Sequence, residues 1–369
     1  MSTLVITLVG FLVSGFIASY ICNTLLLRFS QSLGIRNKND VTIRWSNESK
    51  PSLGGVSFFV VFFFGTIAYA VIFIDAVSVN VFQNKQYVGL MVAGIMAFVM
   101  GLSDDAYNTK PWIKLAVQIS CGVILVLSHT VINLMGVDYD AKVVDWWGLP
   151  HIINATLTVI WVVGIMNSLN MLDNMDGITG TTVLFILISC LASEVILFDW
   201  SMNIWTVTLL LQIGALFGFL RFNINPSQLF MGDAGSQFIG LFTAFFAIHH
   251  LWSVGETTHL TPWTGMFITL IAFTPAAADT LTVVINRLRK GQSPMVGGKD
   301  HTTHHLVYSG LNDKQVWYVF LTIASLSALI AVLALTFAKW GNPWMGAFLS
   351  LFFLIVFGWL YRNTIVHKK

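Results

Sequence analysis

The chain has 369 residues, of which only 10% are charged and 56% apolar, with 19 basic side chains against 17 acidic ones. Soluble domains carry about a quarter of their residues as charges, so a water-soluble globule is excluded, and the same composition excludes disorder. The formal net charge of +2 is too small to draw a nucleic acid partner.

Uncharged runs of about 20 residues recur from end to end, each long enough to cross ~30 Å of hydrocarbon. Mean hydropathy is +0.77. The predicted fold class is an all-α polytopic membrane protein, one integral membrane domain over residues 1–369. About eleven transmembrane helices are expected from apolar runs between charges and Gly, Pro or Asn breaks. They fall at 3–27, 54–74, 87–103, 113–136, 151–170, 178–198, 203–220, 236–253, 263–285, 316–338 and 344–361. The first is expected to be a retained span, because the first cation is Arg28 and no basic start or small-residue cleavage site precedes it. Cys22, Cys121 and Cys190 lie far apart inside apolar runs and are expected to be small buried hydrophobes.

Sixteen of the nineteen Lys and Arg fall on the odd-to-even connections, on the C-terminal tail, or at Lys114 where a helix starts. Only Lys85, Lys142 and Lys339 fall on the other side. Under the positive-inside rule this predicts an outer N-terminus and a cytoplasmic C-terminus. Asp104, Asp105, Asp173, Asp176, Asp233 and Asp300 then all lie at the cytoplasmic face. The outer acids Asp75, Asp138, Asp140, Asp145, Asp199 and Glu256 lack Gly-rich or amide-rich neighbours and are expected to be solvated.

Four stretches carry candidate chemistry. Where the third span ends, Gly101-Leu102-Ser103-Asp104-Asp105-Ala106-Tyr107-Asn108 holds two adjacent carboxylates. Neighbouring side chains on a helix point about 100° apart, so the pair can border one site without forming one ligand geometry; a solvated helix end is the plainer explanation of this pair alone. Next, Asn167, Asn170, Asp173 and Asp176 recur every third residue before Gly177. On an α-helix that series drifts by about 60° per step, so convergence requires a tightened or broken helix end beside a polar cavity. A capped turn is the alternative.

Third, Arg221-Phe222-Asn223-Ile224-Asn225-Pro226 leads into Phe230-Met231-Gly232-Asp233-Ala234-Gly235-Ser236 just before a span. Backbone amides at that helix start can approach an anion, although an Asp N-cap with turn glycines accounts for the same residues. Fourth, the longest inner loop holds Arg287, Arg289, Lys290 and Gly297-Gly298-Lys299-Asp300-His301-Thr302-Thr303-His304-His305. Metal binding by its histidines lacks any zinc-type companion motif, and contact with phosphates suits the mixture better. Asp279, inside the ninth span after Pro275, is a functional suspect or an internal polar pair. Lys114 beside Trp112 is a snorkelling anchor or a substrate contact, and His249 and His250 are expected to be interfacial.

At least five inward carboxylates among amides, glycines, histidines and cations suit a metal with a phosphorylated substrate. Carboxylates alone repel a diphosphate, and Mg²⁺, held by one or two carboxylates together with phosphates, resolves the conflict. Metal-assisted phosphoryl transfer is the natural reaction class. A secondary transporter would show repeated halves and a midplane site, and neither is visible.

Lys50-Pro51-Ser52-Leu53-Gly54-Gly55, Asp104-Asp105, the Asn167 to Gly177 ladder, Asn223, Phe230-Met231-Gly232-Asp233 and His304-His305 together resemble the polyprenyl-phosphate N-acetylhexosamine-1-phosphate transferases. The span number resembles the UDP-GlcNAc:undecaprenyl-phosphate branch more than the phospho-MurNAc-pentapeptide transferases, the alternative within the superfamily. The resemblance implies a multi-pass enzyme of the bacterial cytoplasmic membrane. It would move a HexNAc 1-phosphate from a UDP-HexNAc to a polyprenyl phosphate, release UMP with Mg²⁺ or Mn²⁺, and initiate a cell-envelope polysaccharide such as lipopolysaccharide.

By residue, the resemblance implies metal ligation by Asp233 with Asp173, Asp176 or Asp105, and service of the lipid phosphate by Asp104 and Asp105. It implies a uridine border of Asn170, Asn223 and Phe230, and diphosphate or sugar contacts from His304 and His305. Asp173 and Asp176 join the catalytic set, while Lys50, Lys114, Asn167 and His301 complete the substrate-binding set. A homodimer is compatible with the sequence. Asn108, Asn174 and Thr302 depart from the family pattern, which bears on sugar specificity more than on the reaction.

Overall fold

The computed structural model describes residues 2–32, 50–73, 81–137, 147–197, 202–293 and 298–367. The expected outer acids Asp75, Asp138, Asp140, Asp145 and Asp199 lie outside that set, as do Lys142 and Gly297. Among the described residues the structure is all-helical. In chain order the helices are α1 (Ser2–Ser32), α2 (Val56–Ile72), α3 (Lys85–Tyr107), α4 (Pro111–Leu127), α5 (Leu149–Leu172), α6 (Ile178–Leu197) and α7 (Ile204–Asn223). There follow α8 (Gly232–Ala247), α9 (Val254–Thr257), α10 (Trp263–Ala272), α11 (Thr274–Arg289), α12 (Thr302–Tyr308), α13 (Asp313–Lys339), α14 (Trp344–Leu349) and α15 (Leu351–Val366).

Eight of these segments are long and apolar enough to cross a membrane, or nine if the bent pair α10 and α11 counts as one span. Helices α2 and α4, with 17 residues each, are shorter apolar helices, and such a helix extends about 26 Å, short of the hydrocarbon thickness. Each of the eleven predicted runs holds helix, but two differ in shape. The run at 113–136 stops being helical at Leu127, where Ser128 and a left-handed His129 (φ 65°) turn the chain. The run at 263–285 is broken by 84° between α10 and α11. Pro275 opens α11 and has no N–H with which to continue α10.

Helices α7 and α8 form the buried centre, α1 and α2 cover α7, and α3 and α5 flank α8. Glycines let these backbones meet. A Cβ on Gly101 of α3 would fall 2.4 Å from the Asp233 carbonyl oxygen and the Ala234 Cα of α8. One on Gly55 would fall 2.0 Å from the Cα of Gly235. Small residues at crossings are the usual route to close packing in lipid, where no hydrophobic force drives helices together. Here they bring the ends of α2 and α3 against the first turn of α8.

At the other end of this core, a π-helical segment, Ile248–Trp252, continues α8 and buries His250 completely. His250 Nε2 lies 3.1 Å from a Glu194 carboxylate oxygen, and Asn203 and Thr206 also donate to Glu194. The interfacial placement expected for His250 is therefore corrected, because α6 supplies a buried acid inside a run that otherwise looks purely apolar, while His249 is half-buried. Cys121 and Cys190 are buried as expected, and Cys22 is half-buried.

Gly101→Ala should lower the thermal unfolding midpoint of the detergent-solubilised protein, with a destabilisation of about 1–3 kcal/mol from overpacking. Gly358→Ala, where a Cβ meets nothing within 4 Å, should leave the midpoint unchanged. Equal midpoints in all three proteins would show that the α3–α8 crossing is not tight.

Candidate active site

The site is built on the start of α8. Gly232 has φ 78°, a conformation that favours glycine, and a Cβ there would fall 2.3 Å from the Ser52 carbonyl oxygen. The preceding strand of chain is laced to the segment before α2: Phe230 N–H donates to Pro51 O, Gly54 N–H to Phe230 O and Gly55 N–H to Met231 O, each at 2.9 Å. Lys50 thereby lies over the Phe230 ring at 5.6 Å and donates to Ser227 Oγ at 3.4 Å.

Three further helices converge on the same turn. From α3, Asp105 accepts a hydrogen bond from the Ala234 N–H at 2.9 Å. From α4, Lys114 pairs directly with Asp104 and lies 3.6 Å from Asp233. From α5, Asn170 donates to Asp233 at 2.5 Å and to Ser236 Oγ at 2.8 Å. Asp104 also accepts from the Thr109 N–H at 2.9 Å and the Thr109 hydroxyl at 2.7 Å. The two adjacent carboxylates thus face different partners, as their angular offset on α3 requires. Asn108 ends α3 in a left-handed conformation (φ 51°) with its N–H on the Asp104 carbonyl, a conformation Asn tolerates well. Lys114 is not isolated: it bridges two of the three carboxylates.

The ladder of the second stretch does not converge on one point, because α5 stays helical through Leu172 and breaks only at Asp173 and Gly177 (φ 78°). Asn170 reaches Asp233. Asn167 instead exchanges hydrogen bonds with Gln118 of α4 at 2.8 and 3.2 Å, and Gln118 also donates to Gln237 of α8 at 3.0 Å. Asp173 is the C-cap residue. Beyond the break, Asp176 accepts from the Ser227 N–H at 3.1 Å and from Asn225 at 3.3 Å. Asn223 accepts from the Gly177 N–H at 3.0 Å and donates to Leu229 O at 2.9 Å. Asp176 and Asn223 therefore hold the turn that carries Ser227 and Phe230 beside Lys50.

The histidine segment is α12 and the residues before it. Thr303 donates to Asn174 Oδ1 at 2.7 Å, which ties α12 to the turn after α5. The suspect Asp279 is an internal polar partner, accepting from the Thr302 N–H at 2.8 Å and the Thr302 hydroxyl at 2.6 Å, with His301 Nδ1 2.9 Å from its other oxygen. Arg287 makes a two-pronged pair with Asp300 at 2.6 and 2.7 Å. Burial opposes ionisation of Asp300, but the Arg287 guanidinium outweighs it and holds the carboxyl below its usual range. His304 packs edge-to-face against His301; burial, reinforced by His301, pushes it down to about 3. His305 Nδ1 lies 2.7 Å from the His367 carbonyl oxygen at the end of α15. A cavity of ≈480 Å³ opens beside Arg287, Lys290, Lys299 and Asp300.

The structure thus joins Asp104, Asp105, Lys114, Asn170 and Asp233 directly. Lys50, Asp176, Asn223 and Phe230 form an adjoining cluster, and His301, His304 and His305 a third that is tied in through Asn174. Three carboxylates with one ammonium leave the first cluster net negative, which disfavours a diphosphate. Among the described residues no three His, Cys, Asp or Glu side chains form a ready cage for an ion. The oxygen donors of Asp105 and Asp233 fit a hard cation that takes its remaining ligands from phosphate and water, the usual habit of Mg²⁺. Thr109, Gln118, Ser227 and Gln237 belong to these networks without having been singled out from sequence; lone hydroxyls and amides carry no spacing signal, and only the folded partners identify them.

Residues 87–251 match the model of Glycosyl transferase family 4. That segment runs from α3 through α8 and holds every carboxylate of the first cluster. A probable undecaprenyl-phosphate N-acetylglucosaminyl 1-phosphate transferase of Bacillus subtilis (strain 168) is 24% identical over 312 residues, 83% of this chain and 78% of that protein. The undecaprenyl-phosphate alpha-N-acetylglucosaminyl 1-phosphate transferase of Escherichia coli (strain K12) is 26% identical over 326 residues, 85% of this chain and 80% of that protein. A phospho-N-acetylmuramoyl-pentapeptide-transferase of Streptococcus uberis is 26% identical over 327 residues, 82% of this chain and 89% of its own length. The matched segment, these relatives and the carboxylate and amide motifs on α3, α5 and α8 agree in one direction: the chain is similar to the enzymes of glycosyl transferase family 4.

Proposed function

We propose that the protein transfers a HexNAc 1-phosphate, GlcNAc 1-phosphate foremost, from its UDP-sugar to undecaprenyl phosphate, releasing UMP and starting a cell-envelope polysaccharide. The observation that carries this reading is the grip on the first turn of α8, where Asp105, Lys114 and Asn170 from three other helices meet Asp233 and its neighbour Ala234. A P–O bond forms between a lipid phosphate oxygen and the sugar-bearing phosphorus, while the bond from that phosphorus to the uridine-bearing phosphate breaks and UMP leaves with the electron pair.

Asp233, with Asp105 and Asp173, would hold Mg²⁺ or Mn²⁺, which supplies charge neutralisation for the diphosphate. The acceptor is already largely dianionic near pH 7, so Asp104 and Asp105 contribute by orienting it against Lys114 more than by removing a proton. Asn170, Asn223 and Phe230 border the uridine, with Lys50 and Asn167 beside them, and Asp176 anchors the Ser227 turn. His301, His304 and His305 face the diphosphate or the sugar. His304, kept neutral by its burial, meets phosphate as a hydrogen-bond donor. The concentration of Lys and Arg on one set of connections supports an outer N-terminus, a cytoplasmic C-terminus and a site open to the cytoplasm of a bacterial inner membrane.

Purified protein given undecaprenyl phosphate, UDP-GlcNAc and Mg²⁺ should release UMP. Asp233→Asn and Asp173→Asn should each slow release by about 10²-fold or more without moving the unfolding midpoint. UMP release that needs no lipid, or full activity in both variants, contradicts the reading. A panel of UDP-sugars, including the MurNAc-pentapeptide donor of the Streptococcus relative, identifies the donor in the same assay.

His304 gives a pH prediction. Its folded-state value of about 3 lies below the ordinary 6.5, so the unfolded chain binds the proton first. Its share of the stability is complete above about pH 6.5 and is lost as pH falls toward about 3. The unfolding midpoint should drop over that window in the native protein and less steeply in His304→Gln; parallel slopes would show that His304 is not buried neutral.

A further inference from the structure

Asp279 lies on α11, is fully buried, and belongs to none of the three clusters assigned to substrate. Its side chain nevertheless reaches the start of the histidine segment. One carboxylate oxygen accepts from the Thr302 N–H at 2.8 Å and the Thr302 hydroxyl at 2.6 Å, and the other lies 2.9 Å from His301 Nδ1. An ionised carboxylate has no proton to donate and meets an imidazole nitrogen only as acceptor; beside an ionised Asp279, Nδ1 carries the proton and Nε2 is the nitrogen left for other partners. His301 has no side-chain cap of its own for α12, and Asp279 supplies the acceptor for the first N–H of that helix. One residue further on, Thr303 bonds Asn174.

We infer that Asp279 is a positioning residue for the transfer reaction: it fixes the tautomer and direction of the His301 ring and the register of α12 against the turn after α5. The inference rests on the proposed function, in which His301 meets the donor's phosphates or sugar. Asp279→Asn keeps an acceptor for Thr302 but turns an N–H₂ toward His301 Nδ1, which forces the opposite tautomer. A wrong tautomer behind an intact fold lowers turnover, not folding.

The test is a double-mutant cycle on UMP release, with His301→Gln as the second variant and the unfolding midpoint followed throughout. Asp279→Asn should lower kcat by about 10²-fold, Asp279→Glu should recover part of that loss, and Asp279→Asn should cost little further in the His301→Gln background. Additive losses would overturn the inference and leave Asp279 a purely structural cap. Nitrogen NMR of histidine-labelled native protein reads the tautomer without any Asp279 variant: an Nδ1-protonated His301 supports the inference, and a neutral ring protonated only at Nε2 overturns it. Native protein that releases no UMP would sink the proposed function, and the inference with it; an active native protein with an additive cycle sinks the inference alone.

Discussion

The structure depends on how closely the first turn of α8 can be approached. Three backbones, the start of α2, the end of α3 and the start of α8, meet there because Gly55, Gly101, Gly232 and Gly235 carry no Cβ. That proximity lets Asp105 reach the Ala234 N–H and lets Asn170 and Lys114 reach Asp233. In lipid, unpaired polar groups are costly, so a polar cluster of this density survives only where each member has partners and one side opens to water or ligand. The same turn presents backbone N–H groups at a helix start, which favours negative charge. A negative cluster beside an anion-favouring helix end is consistent with a ligand that brings its own cation.

The remaining elements extend that centre outward. Asp176 and Asn223 pin the turn between α7 and α8, which brings Phe230 under Lys50. The 84° break between α10 and α11 redirects the chain, α11 packs against α5, α13 and α15, and Asp279 on α11 then captures the start of α12. The Arg287–Asp300 pair closes the loop between α11 and α12 on itself. The far core is held differently: Glu194 and His250 pair in a buried network of Asn203, Thr206 and Ser193, some 16 residues along α6 from Ile178, or about 24 Å at 1.5 Å per residue.

Much of this was legible in the sequence because hydropathy reports burial in lipid one segment at a time. All eleven apolar runs contain helix, and the carboxylates at 104, 105 and 233 stood out because charge is rare in such a chain. What was not legible depends on direction rather than composition. Convergence of the Asn167 to Asp176 ladder required a broken helix end, yet α5 stays helical through Leu172 and sends Asn167 toward Gln118 and Asn170 toward Asp233. Glu194 was hidden inside an apolar run because its partner His250 lies 56 residues away. Lys114 gave two readings from sequence, and neither foresaw its ion pairs with Asp104 and Asp233. The break at Pro275 was visible as a proline, but its angle was not.

The central proposal is that Asp233, with Asp105 and Asp173, binds a nucleotide sugar through a shared divalent cation. Calorimetric titration of the purified native protein with UDP-GlcNAc, with and without Mg²⁺, tests it most directly. The account predicts saturable binding that depends on Mg²⁺ and is lost in Asp233→Asn. Equal affinity with and without the metal, retained in that variant, would contradict it.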